Sequence, residues 1–167
     1  MNCPGCGAPM RLDDDKDFFS CDYCGNVFFP EPDDAGVRVL GEPLAEACPV
    51  CAVPPVVPLS HAALLGHRFR YCRHCRGMLI DVGTFVVTIE DLRANRETPA
   101  EIPHPPDPRE LDRHIRCPQC HEEMDTHAYG GGGNVVIDIC ENCQLNWLDY
   151  GELRRIVRAP DRVYVGE

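Results

Sequence analysis

Two short motifs decide the fold of this chain: Cys117-Pro118-Gln119-Cys120 and, 19 residues later, Cys140-Glu141-Asn142-Cys143. A tight Cys-x-x-Cys turn directs two thiolates at one ion, and two such turns complete the tetrahedral shell of four ligands that Zn²⁺ prefers. The residues between the turns are sufficient for one hairpin and a returning strand. This spacing is typical of a zinc ribbon.

The same arrangement occurs three times and accounts for all twelve cysteines, with gaps of 14, 20 and 19 residues between the paired motifs. The first predicted site consists of Cys3, Cys6, Cys21 and Cys24, the second of Cys48, Cys51, Cys72 and Cys75, and the third of Cys117, Cys120, Cys140 and Cys143. No cysteine is left over for another role. We therefore predict three structural Zn²⁺ ions as the cofactors of this protein.

Other uses of the cysteines fit the pattern less well. Disulfides need an oxidising compartment, and the N-terminal residues contain no apolar run that would act as a secretory signal. We therefore expect a cytoplasmic protein. A thioredoxin-like redox site would be a single Cys-x-x-Cys at the start of a helix. Rubredoxin-like iron remains an alternative metal, above all in the first ribbon, and would make the chain an iron redox protein.

Composition supports a small β-rich fold that is held together by metal. Of the 167 residues, 16 are prolines, 14 are glycines and only one is a tryptophan. The chain therefore has too few large apolar side chains to form one extensive core. No segment is long and apolar enough to span a membrane. Catalytic zinc keeps an open position for water, whereas four cysteines close the shell. We therefore expect no enzymatic activity and assign no catalytic residue.

The repeats suggest a division of the chain into three tandem ribbons. We predict ribbon 1 at residues 1–30, a linker at 31–46, ribbon 2 with a helix at 47–95, a proline-rich linker at 96–115, ribbon 3 with a helix at 116–159, and a tail at 160–167. A hairpin in ribbon 1 is expected to turn at residues 13–16, and Gly130–Gly133 is expected to form a flexible hairpin tip in ribbon 3.

Ribbons 2 and 3 share a tail after their last cysteine. Asp81 and Asp149 both follow that cysteine by six residues, and Phe85 and Leu153 both follow it by ten, which indicates an internal repeat. Aspartate before an apolar periodic segment predicts a helix N-cap. We expect capping helices from Val82 to about Asn95 and from about Tyr150 to Arg158, with Asp149 and Glu152 forming a capping box rather than a catalytic pair.

The third ribbon resembles a known family. Trp147, Leu148, Asp149, Gly151, Glu152 and Leu153 match the Trp-Leu-Asp-x-Gly-Glu-Leu tail that follows the last cysteine in the bacterial transcription-factor zinc-finger family, whose ribbons are similar to that of transcription factor IIB. The resemblance implies a zinc ribbon with the four cysteines of ribbon 3 as ligands. It extends loosely to ribbon 2, which lacks the Trp and Glu, and suggests a connection with transcription by analogy.

Charge weighs against nucleic acid as the partner. The formal net charge is −11, and three four-thiolate zinc sites would each add −4 + 2 = −2, giving about −17. Ribbon 2 contains one basic cluster, formed by Arg68, Arg70, Arg73 and Arg76. We therefore predict a scaffold that binds another protein, in transcription-related regulation, with nucleic-acid binding through this cluster as the alternative. The sequence does not define an oligomeric state.

Overall fold

The computed structural model describes residues 1–13, 17–51 and 54–160. Its strands are β1 (Arg11–Leu12), β2 (Phe19–Ser20), β3 (Val27–Phe28), β4 (Arg38–Ala47), β5 (Pro58–Leu64), β6 (His67–Tyr71), β7 (Met78–Asp81), β8 (Asp125–Ala128), β9 (Val136–Cys140) and β10 (Leu145–Leu148). Its helices are α1 (Val82–Ala94), α2 (Glu152–Arg158) and a short 3-10 helix, Pro108–Asp112. None of the helices among these residues is both long and apolar enough to cross a bilayer. This β-rich architecture agrees with the predicted fold class.

Ribbon 1 forms a separate three-stranded sheet in the order β1-β2-β3. Its strands are only two residues long, and Phe19 is the one ring of its four phenylalanines that is buried. Phe28 and Phe29 are exposed, and the Phe29 ring lies 5.0 Å from the Phe18 ring. Most of the hairpin turn predicted at residues 13–16 lies outside the described residues. So little apolar burial leaves metal as the main stabilising element.

Ribbons 2 and 3 are not separate units but halves of one antiparallel sheet in the order β4-β5-β6-β7-β10-β9-β8. At the junction, Leu79 of β7 is paired with Trp147 of β10. Both residues lie four positions after the last cysteine of their ribbon, so each is paired with its own counterpart in the repeat. The repeat and the register together therefore define a local pseudo-twofold axis that passes between these two residues.

The two faces of this sheet have different roles because side chains alternate along each strand. One face carries Met78, Ile80 and Leu148 into an apolar cluster with the helix residues Phe85 and Ile156. On the other face, Leu79 and Trp147 join a second cluster that includes buried cysteines of ribbons 2 and 3. The helices thus cover one side of the junction, and residues at the metal sites pack against the other.

Helix α1 begins as the sequence predicts. The Asp81 side chain accepts hydrogen bonds from the backbone N–H groups of Gly83 and Thr84 at 2.9 and 3.1 Å, and Phe85 and Ile89 are buried. The helix covers Val82–Ala94, close to the predicted range.

Helix α2 starts later than predicted and without the predicted cap. Its N-cap is Gly151 with φ +88°, and no side chain caps it. The Asp149 carboxylate is instead directed at Arg113 and the Trp147 indole, so only the reverse half of the capping box forms, with Glu152 Oε2 accepting the Asp149 N–H at 2.7 Å.

Both predicted linkers contain ordered structure. Residues 38–46 of the first linker lie in the ten-residue strand β4, which is paired with β5 through two register irregularities. Pro43 is tolerated because β4 is an edge strand. In the second linker, the Arg96 side chain donates to the carbonyl oxygen of Val157 at 2.8 Å. The backbone N–H of Glu101 donates to the carbonyl oxygen of Arg158, also at 2.8 Å. This segment therefore covers the C-terminal end of α2, where unpaired carbonyls need donors.

The glycine run at 130–133 is also docked rather than extended into solvent. Gly133 has φ +108°, and an added Cβ there would meet backbone atoms of Arg155 and Ile156 at 3.0 Å. Arg155 donates to the carbonyl oxygen of Asn134 at 2.7 Å. Close approach of the hairpin to α2 therefore explains the absence of a side chain at this position.

Candidate metal centres

The structure brings the twelve cysteines together in three groups of four. Within each group, all ligand atoms lie within 4.8 Å of one another. The groups contain the same residues that the spacing predicts: Cys3, Cys6, Cys21 and Cys24; Cys48, Cys51, Cys72 and Cys75; and Cys117, Cys120, Cys140 and Cys143. The first cysteine of every pair is buried, and the second is exposed or half-buried.

Sulfur separations fit one shared ion in each group. The Sγ atoms of Cys3 and Cys24 are 3.5 Å apart, and those of Cys48 and Cys75 are 3.6 Å apart. A tetrahedral shell with Zn–S bonds of about 2.3 Å requires about 3.8 Å. A disulfide would require about 2 Å. The chemistry and the geometry of the donor sets therefore both fit three structural Zn²⁺ ions.

A recurring backbone turn produces these sites. The N–H of the residue after the second cysteine donates to the carbonyl oxygen of the first, as Gly7 does to Cys3 at 2.9 Å and His121 does to Cys117 at 2.9 Å. We call each Cys-x-x-Cys turn, together with the residue after it, a knuckle. In five of the six knuckles this following residue has a positive φ; the residues are Gly7, Gly25, Arg76, His121 and Gln144. The sixth, Ala52, lies outside the described residues. Sequence reasoning missed this feature, although the glycines at 7 and 25 mark it.

Local dipoles favour the ionised form of the first thiol. The backbone N–H of Cys6 is the main cause of a lowered pKa of Cys3, about 6. Although the backbone amide of Asn26 lowers the pKa of Cys24, the neighbouring Cys3 and Cys6 thiols raise it to about 12. Closely spaced thiols oppose each other's ionisation, so a divalent cation is what allows all four to act as thiolates.

The two histidines of ribbon 3 stay outside the metal group. His121 occupies the left-handed turn position with φ +64°, and the Nδ1 atom of His127 lies 3.4 Å from the Asp125 carboxylate. Trp147 is fully buried between the metal sites and donates through Nε1 to Asp149 at 3.0 Å. These three residues therefore support the fold rather than coordinate the ion.

The basic cluster of ribbon 2 is largely neutralised by acids of the same chain. Arg70 lies 2.7 Å from Glu46, Arg76 lies 2.6 Å from Asp34, and Arg68 lies 3.7 Å from Asp17. Arg76 also lies over the Tyr150 ring at 5.2 Å. Arg73 is exposed. Three of the four arginines are thus used to connect ribbon 2 with neighbouring segments.

A buried ionic network lies beside the third site and was not predicted from the sequence. Arg113, at the end of the proline-rich segment, donates to the carboxylates of Asp138 and Asp149. Asp138 is fully buried and also accepts from the Thr126 hydroxyl. Burial raises the pKa of the nearby Glu152 carboxyl to about 8. Asp138 and Asp149 thus hold the segment on the sheet, and Glu152 accepts the backbone N–H of Asp149.

Comparison with known proteins bears on the third ribbon. No curated protein and no solved structure gives a significant match to the chain. The family model described as transcription factor zinc-finger, of the transcription factor IIB type, matches residues 116–159. That range includes the third cysteine group, β8–β10 and α2. The third ribbon is therefore a zinc ribbon similar to those of this transcription-factor family.

Proposed function

We propose that this protein is a non-enzymatic, cytoplasmic scaffold that binds another protein through its zinc ribbons and acts in transcription-related regulation. The observation that carries this proposal is the exposed apolar surface of ribbon 1. Tyr23, Phe29 and Val27 are 79%, 59% and 54% exposed. Aromatic residues of this kind are enriched where proteins contact one another.

Charge suggests the kind of partner that this surface binds. Residues 1–30 contain Arg11 and Lys16 against five aspartates, so their formal charge is 2 − 5 = −3. A four-thiolate zinc site adds about −2. An acidic ribbon with exposed rings is complementary to a segment that combines apolar and basic residues. We therefore expect a partner of that composition.

The internal ion pairs support protein rather than nucleic acid as the partner. Binding to phosphate would require Arg70 and Arg76 to leave Glu46 and Asp34, or would bring phosphates close to those carboxylates. The closed four-cysteine groups likewise leave no open coordination position for a catalytic water. Both observations favour a scaffold over a nucleic-acid-binding protein or a metalloenzyme.

Proximity crosslinking with the zinc-loaded full chain tests the proposal. We expect wild-type protein to crosslink to a defined protein partner through ribbon 1, and the double variant Tyr23→Ser/Phe29→Ser to lose that crosslink. Ile102→Ser is the matched control, because Ile102 is 90% exposed but lies in the proline-rich segment. A crosslink that disappears after nuclease treatment would contradict the proposal, as would a crosslink that the double variant leaves unchanged.

A further inference from the structure

A cleft of about 430 Å³ lies between ribbon 2 and helix α2. Its apolar lining includes Leu64, Met78 and Leu92 from ribbon 2 and Leu153 and Val157 from α2. This volume is within the range of sites that bind small molecules or single large side chains. None of these residues contributes a sulfur to the metal sites, so the cleft is independent of them.

The pseudo-twofold axis explains why the cleft is open. Leu64 is paired with His67, five residues before Cys72, and Tyr129 donates its N–H to Val135, five residues before Cys140. Leu64 and Tyr129 are therefore counterparts in the two halves of the sheet. Leu153 of α2 lines the cleft together with Leu64, and Phe85 of α1 packs against Tyr129. Leu153 and Phe85 are also counterparts, because each follows the last cysteine of its ribbon by ten residues.

The equivalent position in the other half is filled by two aromatic rings. The Tyr129 ring packs edge-on against Phe85, with centroids 5.6 Å apart and an interplanar angle of 67°. In the half that contains the cleft, two leucines replace these two rings, and both line the open space. The fold therefore already shows which type of group fills this position between a sheet and a capping helix: an aromatic ring in an edge-to-face contact.

Charge at the rim adds a second requirement. Arg154 lines the cleft and is exposed, and within the described residues it has no acidic partner. The other charged rim residues are already matched, because Asp34 is paired with Arg76 and Asp149 with Arg113. A carboxylate on the occupant would therefore meet an available guanidinium beside the apolar floor.

We propose that this cleft binds an aromatic side chain of a partner protein with an acidic residue next to it. This inference rests on the proposed function and specifies a second contact with the partner, separate from the ribbon 1 surface. In the bound state, the ring occupies the space beside Leu64 and Leu153, which corresponds to the region that the Tyr129 and Phe85 rings fill in the other half, and the neighbouring carboxylate pairs with Arg154.

Methyl NMR of the zinc-loaded full chain tests the proposal with a blocked Asp-Phe-Asp peptide as the probe. We expect saturable shifts at the methyl groups of Leu64, Met78 and Leu153. The matched peptides Asp-Ala-Asp and Lys-Phe-Lys should bind at least about threefold more weakly, because each lacks one of the two required features. Equal shifts with all three peptides would overturn the proposal.

Two variants connect the shifts to the cleft. Leu64→Tyr should fill the space as Tyr129 does and remove the shifts. Because that substitution can also disturb the core, Arg154→Glu provides a second variant at an exposed position, and it should weaken Asp-Phe-Asp but not Lys-Phe-Lys. Val86→Glu, at the counterpart of Arg154 on α1, is the control that should leave binding unchanged. Shifts that persist in both Leu64→Tyr and Arg154→Glu would overturn the proposal.

A chain that lacks residues 161–167 tests the alternative that the cleft binds this chain's own C-terminal residues instead of a partner. If the peptide binds only after deletion of residues 161–167, the cleft belongs to that segment and the inference is wrong. If the peptide does not bind while the ribbon 1 crosslink persists, the inference fails and the proposed function stands. If the wild-type chain gives no crosslink through ribbon 1 but still binds Asp-Phe-Asp more tightly than Asp-Ala-Asp, only the proposed ribbon 1 contact is contradicted.

Discussion

At the scale of single residues, the knuckle turns are the points where side-chain identity and backbone geometry disagree. Gly7 and Gly25 occupy the positive-φ position without cost, whereas His121 does so at φ +64°. The left-handed conformation costs a residue with a Cβ about 1–2 kcal/mol. The ribbon 3 knuckle therefore tolerates strain that the ribbon 1 knuckles avoid.

We predict that His121→Gly stabilises ribbon 3 by up to about 1 kcal/mol, because glycine removes this strain and the exposed His121 side chain is not a ligand. The control His121→Ala removes the imidazole but keeps the Cβ. Thermal unfolding at fixed free zinc should show a higher midpoint for the glycine variant only. An equal rise in both variants would mean that the imidazole, rather than the backbone, is unfavourable.

A second prediction at this scale concerns the buried carboxyl of Glu152, whose pKa burial raises to about 8 from the ordinary 4.5. The folded state therefore holds a proton that the unfolded state releases, so the contribution of this residue to stability is lost as pH rises from about 4.5 through about 8. Glu152→Gln should be more stable than wild type at pH 8.5, with a smaller advantage at pH 6.5. Zinc release affects both proteins alike, so the difference between them is the quantity to measure. The exposed control Glu141→Gln should show no such trend, and an advantage for Glu152→Gln that does not change with pH would exclude titration of this carboxyl as the cause.

At the scale of elements, Arg113 anchors the C-terminal end of the proline-rich segment. It connects the end of that segment to Asp138 of β9 and to Asp149 between β10 and α2. This guanidinium adds to the hydrogen bonds of Arg96 and Glu101 and to the buried Ile115, which also hold residues 96–115 against ribbon 3. Because Asp138 is fully buried, no solvent can compensate this carboxylate for the loss of Arg113, whereas Asp149 is partly exposed.

We predict that Arg113→Ala destabilises the sheet by about 3–5 kcal/mol, the usual effect of leaving a buried charge without its partner. Arg109→Ala is the matched control, because Arg109 is 88% exposed in its pair with Asp107. Its loss should cost less than about 1 kcal/mol. Denaturant unfolding of both variants would decide, and similar small losses would show that the network contributes little.

At the scale of the whole molecule, the chain is organised as one small ribbon and one double ribbon rather than three separate units. The strands β7 and β10 join ribbons 2 and 3, while ribbon 1 contacts the larger sheet through pairs such as Met1 with Glu42 and Arg68 with Asp17. Metal loss at one site of the double ribbon should therefore affect the other, because the two sites share a sheet and a core.

We predict that Cys117→Ser removes the zinc of ribbons 2 and 3 together and leaves about one zinc per chain. Hydrogen exchange should then rise in β6 and α1, which lie in ribbon 2, while Cys21→Ser should affect ribbon 1 alone. Elemental analysis and exchange mass spectrometry provide the measurements. Protection of β6 and α1 in Cys117→Ser would show that the ribbons fold independently, and dominant iron would contradict the zinc assignment.

Short-range sequence patterns predicted the parts of the fold that depend on local geometry. The three metal groups and the start of α1 at Asp81 follow from residues close together in the sequence. The shared sheet does not, because nothing in the sequence of β7 specifies which strand pairs with its free edge. Residues 31–46 were predicted as a linker because of their prolines and acids, although most of them lie in β4. The Arg113 network joins residues 25 to 36 positions apart without any periodic signal.

The last prediction concerns nucleic acid, where whole-molecule charge and local ion pairs act in the same direction. With three zinc sites the net charge is about −17, from −11 and three contributions of −2. Non-specific DNA binding uses about six to ten phosphate contacts. In addition, two arginines of the basic cluster in ribbon 2 are not available for phosphate, because Arg70 is paired with Glu46 and Arg76 with Asp34. We therefore expect no appreciable duplex binding at about 150 mM salt, where screening extends over about 8 Å.

Fluorescence anisotropy across a salt series, with labelled duplex and single strands, is the measurement. The variant Glu46→Gln/Asp34→Asn removes the acidic partners of Arg70 and Arg76 and, by removing two negative charges, raises the net charge by two. It should therefore bind weakly at low salt where wild type does not. The control variant Glu141→Gln/Glu122→Gln changes the net charge by the same amount at exposed positions of ribbon 3, and it should not bind DNA. If both double variants bind alike, net charge rather than the ion pairs of ribbon 2 controls affinity. Sub-micromolar, sequence-selective binding by wild type at about 150 mM salt would instead place nucleic acid ahead of protein as the partner.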